Sequence, residues 1–189
     1  MDFIEGLPNS NGHSVIMVVV DCLSKYAHFI HLKHSYTTVT VAKAFVFNVV
    51  WLHGIPTSIV SDRDKVFTST FWQTLFQLQG TKLNMSSNYH PQTDGQTEIA
   101  NCTLEQYLRC FARLQSKKWV EWIPWAEFIY NTSTHSSTKF NQFEVVYGAS
   151  PNLPFLHIGH NACSGGGWIS PRLGCNLEGV TSQSSDDTR

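Results

Sequence analysis

Two acidic side chains stand where the sequence predicts that a strand ends and a helix begins. Asp62 follows the short apolar stretch 58–60 almost directly, and Glu98 comes after 35 intervening residues, in the first turns of a long amphipathic segment. Thr93 and Gln96 have the spacing of a capping box, which would start that helix just before Glu98. A carboxylate held this rigidly suits metal binding beside a phosphate backbone. From the spacing alone, an ordinary solvated glutamate is the alternative.

The predicted helix separates apolar from polar side chains, and Glu98 falls on the polar side. At about 100° of rotation per residue, one stripe of the helix is apolar and would face a sheet. The opposite side carries basic residues about three and four turns beyond Glu98, which suits a ligand that bears phosphate groups. The apolar stripe consists of Ala100, Leu104, Leu108 and Phe111, and the polar side also carries Cys102, Glu105, Arg109 and Arg113.

The rest of the chain predicts the elements that must position these carboxylates. Three short apolar runs separated by turn-forming residues predict an antiparallel meander. A helix, a fourth strand, a second helix with an apolar face of Phe71, Leu75 and Leu78, and a fifth strand follow. This order predicts an α/β fold with a mixed sheet. The predicted strands cover residues 2–4, 15–20, 26–32, 58–60 and 82–85, and the two helices cover residues 41–52 and 71–78.

Composition limits the possible functions without choosing one. The net charge of −1 and the pI near 6.7 give no global basic excess, so binding to nucleic acid would have to depend on local charge and on metal ions. No apolar run reaches the roughly 20 residues that span a bilayer, and no secretory signal is visible, so we expect no membrane partner. The five cysteines are scattered, which predicts reduced thiols in an intracellular protein.

Histidine and tryptophan patterns favour structural roles. His28, His31 and His34 are three apart on a predicted strand, so they face alternating sides and cannot all share one metal ion. The later histidines and cysteines have no standard zinc spacing, so we expect no zinc. For the tryptophans, packing in the core or at a subunit interface is favoured over stacking on bases. The residues concerned are His157, His160, Cys163 and Cys175, and Trp119, Trp122 and Trp125.

Long strings of the sequence resemble one known family. MDFIEGLP, VVVDCLSKYAHFI, HGIP, IVSDRDKVF, GTKLNMSSNYHPQTDGQTE, LEQYLR and HSSTKFNQFEVVYGASP occur in this order. They resemble the integrase catalytic core of gypsy-type long-terminal-repeat retrotransposons of the plant type, which is similar to retroviral integrase. The resemblance implies an RNase H-like fold, with a five-stranded mixed sheet flanked by helices. It implies a catalytic core at residues 1–154, truncated at its N-terminus, while the Gly- and Ser-rich residues 155–189 predict a disordered tail outside the family.

The resemblance also implies a catalytic trio of Asp2, Asp62 and Glu98 that binds two Mg²⁺ or Mn²⁺ ions. The family pattern places the first aspartate in the MDF string, hence Asp2. In this fold the first strand lies beside and parallel to the strand that delivers Asp62, which agrees with that choice. Asp21, at the end of the second strand, is expected instead to order a turn through a side-chain hydrogen bond. Two ions about 4 Å apart can activate an attacking oxygen and stabilise a leaving one.

The implied activity is trimming of the 3′ ends of the element's DNA and joining of those ends to target DNA. Loop residues against the DNA ends would be Asn88, His90, Gln92 and Gln96, and phosphate contacts would come from Lys82, Arg109, Arg113, Lys117 and Lys118. For each of these side chains, a solvated surface role is the alternative. DNA and further copies of the chain are the expected partners, and the nucleus follows from the substrate.

Two other functions stay open from the sequence. One is a catalytically inactive remnant of a transposable element that at most binds nucleic acid or an integrase partner, so it is open whether this chain is itself active. The other is an RNase H-type hydrolase of RNA–DNA hybrids, against which the HPQTDGQ loop argues.

Overall fold

The structure, a computed structural model, describes residues 1–85, 91–134 and 140–151, and it describes only the backbone of residues 91–96 and 111–116. Within these residues, five strands and six helices follow one another in the order that the sequence predicts for an α/β fold. The strands are β1 (Asp2–Ile4), β2 (His13–Val20), β3 (Ala27–Lys33), β4 (Ser58–Ser61) and β5 (Lys82–Met85). The helices are α1 (Thr38–Phe45), α2 (Trp51–His53), α3 (Thr70–Leu78), α4 (Pro91–Gln115), α5 (Trp119–Thr132) and α6 (Gln142–Tyr147). A π-helical turn (Val46–Val50) joins α1 to α2, and a 3₁₀ turn (Ser116–Lys118) joins α4 to α5.

The five strands form an antiparallel group of three and a parallel pair. β1 and β3 flank β2, with Asp2 opposite Val18 in the β1–β2 ladder. β4 runs parallel to β5. A hydrogen bond of 2.8 Å from the backbone nitrogen of Met1 to the carbonyl of Val60 connects the start of β1 to β4. The expected neighbourhood of β1 and β4 is therefore present, although the two strands do not pair in one ladder.

β2 lies at the centre of the core and is buried on both faces. Because successive strand residues point to opposite sides, its alternate residues enter two different apolar clusters. Met17 packs with Phe45 of α1 and Trp72 of α3, whereas Val18 packs with Leu104 of α4 and Trp119 of α5. A fully buried large apolar side chain contributes about 1.5–3 kcal/mol. The two clusters therefore fix helices on both faces of the antiparallel strands.

The apolar residues of segment 41–52 are mostly buried in its first half and mostly exposed in its second half. Val41 and Phe45 of α1 are buried, and the helical run ends at Gly54, whose φ of 80° favours glycine. Phe47 and Trp51, further along the same run, are 70% and 79% exposed. The second half of this segment thus presents apolar side chains to solvent.

The apolar face predicted for α3 holds only at Leu75, which is partly buried against the core, and is wrong at its other two residues. Phe71 and Leu78 are exposed, and the buried residues are Trp72 and Phe76. These two rings lie one helical turn apart and pack on each other with centroids 4.6 Å apart. They also contact Phe45, so burying this aromatic face removes more apolar area from water than burying the predicted one. The predicted end of the helix holds, because Gly80 follows it with a φ of 78°.

Helix α4 begins earlier than the sequence analysis expects. Its first residue is Pro91, a position that proline suits because the first helical nitrogen has no partner within the helix. Thr93 and Gln96 therefore lie inside the helix, and the predicted capping box before Glu98 is wrong. The predicted apolar stripe is confirmed for Ala100, Leu104 and Leu108, which are all buried.

Helix α5 starts with the tryptophan-rich segment. Trp119 is buried and its indole nitrogen donates to the carbonyl of Pro8 at 2.6 Å, which confirms the packing role expected for it. Trp125 is exposed. Within the ranges that the structure describes, no helix is both long and apolar enough to cross a bilayer.

Candidate catalytic site

Asp2 is tied to the helix that carries Glu98. Its Oδ2 accepts a hydrogen bond of 2.7 Å from the side-chain amide of Asn101, and its Oδ1 accepts one of 2.8 Å from the backbone of Phe3. Asn101 lies about one turn after Glu98 on α4. The start of β1 and the Glu98 turn of α4 are therefore neighbours, and both oxygens of Asp2 have fixed directions.

The same end of β1 is tied to the strand that delivers Asp62. Met1 bonds to Val60, which is two residues before Asp62. Asp62 directly follows β4, where its Oδ1 accepts a hydrogen bond of 3.3 Å from the backbone nitrogen of Asp64. Asp64 in turn accepts from the backbone of Val66 at 2.7 Å, so it orders this loop rather than being only solvated. Asp2 and its neighbour Met1 thus contact the two elements that carry the other proposed ligands.

An aromatic stack forms around Phe3, the residue after Asp2. The ring of Phe3 lies between those of Tyr36 and Phe67, with centroids 5.1 Å and 5.0 Å away. The hydroxyl of Tyr36 donates to Glu5 at 2.6 Å. Burial raises the pKa of Tyr36, and the negative charges of Glu5, Asp64 and Asp62 raise it further. Asp62 and Asp64 therefore lie close enough to Tyr36 to act on it electrostatically.

The donor atoms fit a hard divalent cation. Carboxylate and amide oxygens suit Mg²⁺, which needs only one or two protein carboxylates and keeps several waters. The Oδ1 of Asn101 is buried and has no hydrogen-bond partner among the described atoms. Glu98 is exposed on α4. Over residues 1–85, 91–134 and 140–151, no three His, Cys, Asp or Glu side chains lie close enough to hold one metal ion together, so the trio stays a prediction.

Asp21 has the structural role that the sequence predicts. Its Oδ2 accepts hydrogen bonds of 2.7 Å from both the backbone nitrogen and the hydroxyl of Ser24. Burial raises the pKa of Asp21, but the Ser24 hydrogen bonds outweigh burial and the net pKa is lowered. The turn between β2 and β3 is therefore closed by this carboxylate, as expected.

The proposed DNA-contact residues are described to different extents. Asn88 and His90 lie outside the described residues. Gln92 and Gln96 belong to the first turns of α4, so the prediction that they lie in a flexible loop is wrong. The remaining five are Lys82, exposed on β5; Arg109, exposed on α4; Lys117 and Lys118, exposed in the 3₁₀ turn; and Arg113, for which only the backbone is described.

Arg109 has one polar partner on its own helix. It forms an ion pair of 3.2 Å with Glu105, one turn earlier. Both side chains are largely exposed, so this pair is weak and its arginine can exchange Glu105 for a phosphate. Arg109 stays a predicted phosphate contact.

Sequence reasoning missed Asn101 and Tyr36. Asn101 could have been found, since positions three apart share a helix face and Glu98 was already singled out. Tyr36 could not, because its approach to Asp62 and Asp64 depends on how the loop after β3 folds back. His28 of β3 and His53 of α2 also meet across the fold, which the strand pattern could not show.

The fold and the family comparison define the class. This is the α/β, RNase H-like fold of integrase catalytic cores, and residues 1–91 match the family described as Integrase core domain. The HTLV-2 integrase catalytic core domain in complex with magnesium, in its trimeric form, superimposes with a TM-score of 0.61 at 16% identity, over 76% of this chain and 93% of that chain. An integrase chain in the simian T-cell lymphotropic virus intasome in complex with PP2A regulatory subunit B56 gamma gives 0.66 at 15% identity, over 87% and 59%.

The relatives in sequence come from a transposable element. The Tf2-3 polyprotein of Schizosaccharomyces pombe is 38% identical over 158 residues, or 84% of this chain. Residues 1–91 thus match the integrase core domain family, and the chain is similar in sequence to the Tf2 retrotransposon polyproteins and in fold to retroviral integrase cores. It spans 12% of the length of the Tf2 relatives.

Proposed function

We propose that this chain is the catalytic core of a gypsy-type long-terminal-repeat retrotransposon integrase of the plant type. It trims the 3′ ends of the element's DNA and transfers those ends to target DNA, which takes place in the nucleus. The observation that carries the proposal is that Asp2 and its neighbour Met1 contact both the helix of Glu98 and the strand of Asp62. Within the integrase core fold, these contacts support a shared site for the three carboxylates.

Asp2, Asp62 and Glu98 would hold two Mg²⁺ or Mn²⁺ ions. When bound, such ions supply the charge that activates an attacking oxygen and stabilises a leaving one. Asn101 and the backbone of Phe3 hold the carboxylate of Asp2 in one orientation, which limits the rearrangement needed on binding. The related HTLV-2 core was solved in complex with magnesium, which supports the choice of ion.

The reaction itself is a displacement at phosphorus. In end trimming, a water oxygen forms a bond to phosphorus and the bond to the 3′ oxygen breaks, which leaves a 3′ hydroxyl. In strand transfer, that hydroxyl attacks a target phosphodiester and one P–O bond again replaces another. Exposed lysines of β5 and of the 3₁₀ turn contact the phosphates and keep the DNA in register, and they are Lys82, Lys117 and Lys118.

The protein acts as a homo-oligomer through the exposed apolar face of the α1–α2 segment. This face is formed by Phe47, Trp51 and Leu52 of the helical run and by Ile55 just after its end, and each is about half exposed or more. A contiguous apolar surface of this kind favours a protein partner. The HTLV-2 core, solved in dimeric and trimeric forms, supports a second copy of the chain as that partner.

The direct test is Mg²⁺- or Mn²⁺-dependent disintegration of a branched DNA substrate, scored beside strand transfer. Asp62→Asn, which keeps the shape and removes the charge, should abolish both activities. Asp21→Asn is the matched control, because Asp21 closes a turn and is not one of the three proposed ligands, and it should retain activity. No activity of the parent chain at any metal concentration would favour the inactive remnant, and cleavage of RNA–DNA hybrids alone would favour an RNase H-type hydrolase.

A further inference from the structure

Two histidines from separate elements, β3 and α2, meet outside the candidate catalytic site. His28 is buried on β3 and His53 is the exposed last residue of α2. Their Nε2 atoms are 2.9 Å apart. Only one of the two nitrogens can carry a proton in this contact, so at least one lone pair points into the space between the rings.

A carboxylate fixes which nitrogen of His28 carries its proton. Glu127 of α5 accepts a hydrogen bond of 2.8 Å from the backbone of Phe29, which holds its side chain against β3. Its other oxygen lies 3.1 Å from Nδ1 of His28. Because a carboxylate can only accept, Nδ1 of His28 is the donor and Nε2 presents its lone pair to His53. This is the arrangement by which carboxylates orient metal-binding histidines.

The surroundings of the pair favour a bound cation. His28, His53 and Asp21 line one cavity. Burial and the proximity of His28 lower the pKa of His53, against the opposing influence of Asp21 and Glu127. The neutral imidazole is the form that binds metals. The carboxylates of Asp21 and Glu127 supply negative charge close to the rings.

We propose that His28 and His53 together bind one divalent transition-metal ion of the zinc class, with Glu127 as the residue that positions His28. Two imidazoles on one tetrahedral ion, each about 2.0–2.1 Å from it, place their nitrogens about 3.3 Å apart. The observed 2.9 Å needs only a small rotation of the exposed His53. Water completes the coordination, since among the described residues no third His, Cys, Asp or Glu joins the pair.

The proposal is independent of the catalytic assignment because the two sites select different metals. Imidazole nitrogens prefer Zn²⁺, Cu²⁺ and Ni²⁺, whereas carboxylates and amide oxygens prefer Mg²⁺ and Mn²⁺. The rejection of a shared metal among His28, His31 and His34 still holds. His53, which comes from another element, is the second ligand, so a zinc-class ion is proposed here although the sequence predicts none.

The test is isothermal titration of the untagged chain with Zn²⁺ at neutral pH, with Co²⁺ absorption spectra as a second readout. We expect saturable binding with a dissociation constant below about 1 mM. His53→Gln should weaken this binding at least about tenfold, and Glu127→Gln should weaken it by about 10–100-fold through His28. His31→Gln is the matched control, because its ring lies edge-on against His13 and outside the pair.

Circular dichroism checks that each variant is folded, and the exposed His53 makes its variant the decisive one. Zn²⁺ binding that is absent, or that is unchanged in His53→Gln, overturns the proposal. Asp62→Asn separates the two sites: it should leave Zn²⁺ binding unchanged while it removes strand transfer. Loss of Zn²⁺ binding in that variant would place the ion among the carboxylates instead and would also overturn the proposal.

Discussion

At the scale of single residues, Asn101 connects helix α4, which carries Glu98, to Asp2 on β1. Its amide donates to Asp2, while its own buried carbonyl oxygen has no partner among the described atoms. A metal-bound water or an ion beside the carboxylate would give this buried oxygen the partner that it lacks. Asn101 is therefore proposed as a positioning residue for Asp2.

Asn101→Ala should lower strand transfer at least about tenfold and raise the Mg²⁺ concentration that gives half-maximal activity, because a hydrogen bond that holds a metal ligand in place contributes about 10–100-fold. A metal titration of activity measures both effects. Thr103→Ala, on the same helix, removes only a bond to the carbonyl of Ile99 and serves as the control. An unchanged metal requirement in Asn101→Ala would assign Asn101 a purely structural role.

Asp21 gives a pH-dependent prediction. Its folded-state pKa is lowered, so its contribution to stability is present above the unfolded pKa and is lost as pH falls through the folded value. Asp21→Asn should cost about 0.5–1.5 kcal/mol at pH 7, with solvent screening favouring the lower end. Urea denaturation at pH 7 and near pH 2 measures this, and the difference between the two proteins should shrink in acid. A constant difference would contradict the ionised hydrogen bond to Ser24.

At the scale of elements, the sequence predicts where strands and helices occur better than it predicts which faces they bury. β2 and β5 follow from local apolar runs. The buried face of α3 depends on aromatic partners from α1 and from the loop after β4, which no local period can reveal. The sequence also fails to predict where α4 begins. Gly95 and the neighbouring turn formers favour a loop locally, although they lie in the helix.

The corrected face of α3 can be tested by a pair of substitutions. Trp72→Ala removes a fully buried ring that contacts Phe45, Phe67 and Phe76, and it should cost about 3–5 kcal/mol. Phe71→Ala, at the neighbouring half-exposed position, should cost less than half as much. Chemical denaturation measures both. Equal losses would support the face that the sequence predicts.

Within the candidate site, too, the sequence points to residues but not to the contacts between the elements that carry them. The resemblance points to Asp2, Asp62 and Glu98 by their positions in matched strings. The contacts that connect β1 to the elements carrying Asp62 and Glu98, from Met1 to Val60 and from Asn101 to Asp2, are long-range and follow only from the fold.

At the scale of the whole molecule, the apolar face on the α1–α2 segment predicts self-association. Trp51→Lys places a charge in the middle of that face and should shift the protein toward monomer. Sedimentation velocity over a concentration series measures the shift. Leu78→Lys is the matched control, since Leu78 is as exposed as Trp51, at 79%, but lies on α3 away from the face. Equal behaviour of the two variants would exclude this face as the contact.

The central claim is that three carboxylates from β1, the end of β4 and α4 share a pair of metal ions. Anomalous diffraction from crystals of the chain soaked in Mn²⁺ locates such ions directly. We predict two peaks about 4 Å apart between the side chains of Asp2, Asp62 and Glu98, and none there in Asp62→Asn. Manganese bound elsewhere, or a Glu98 side chain turned away from both aspartates, would contradict the account.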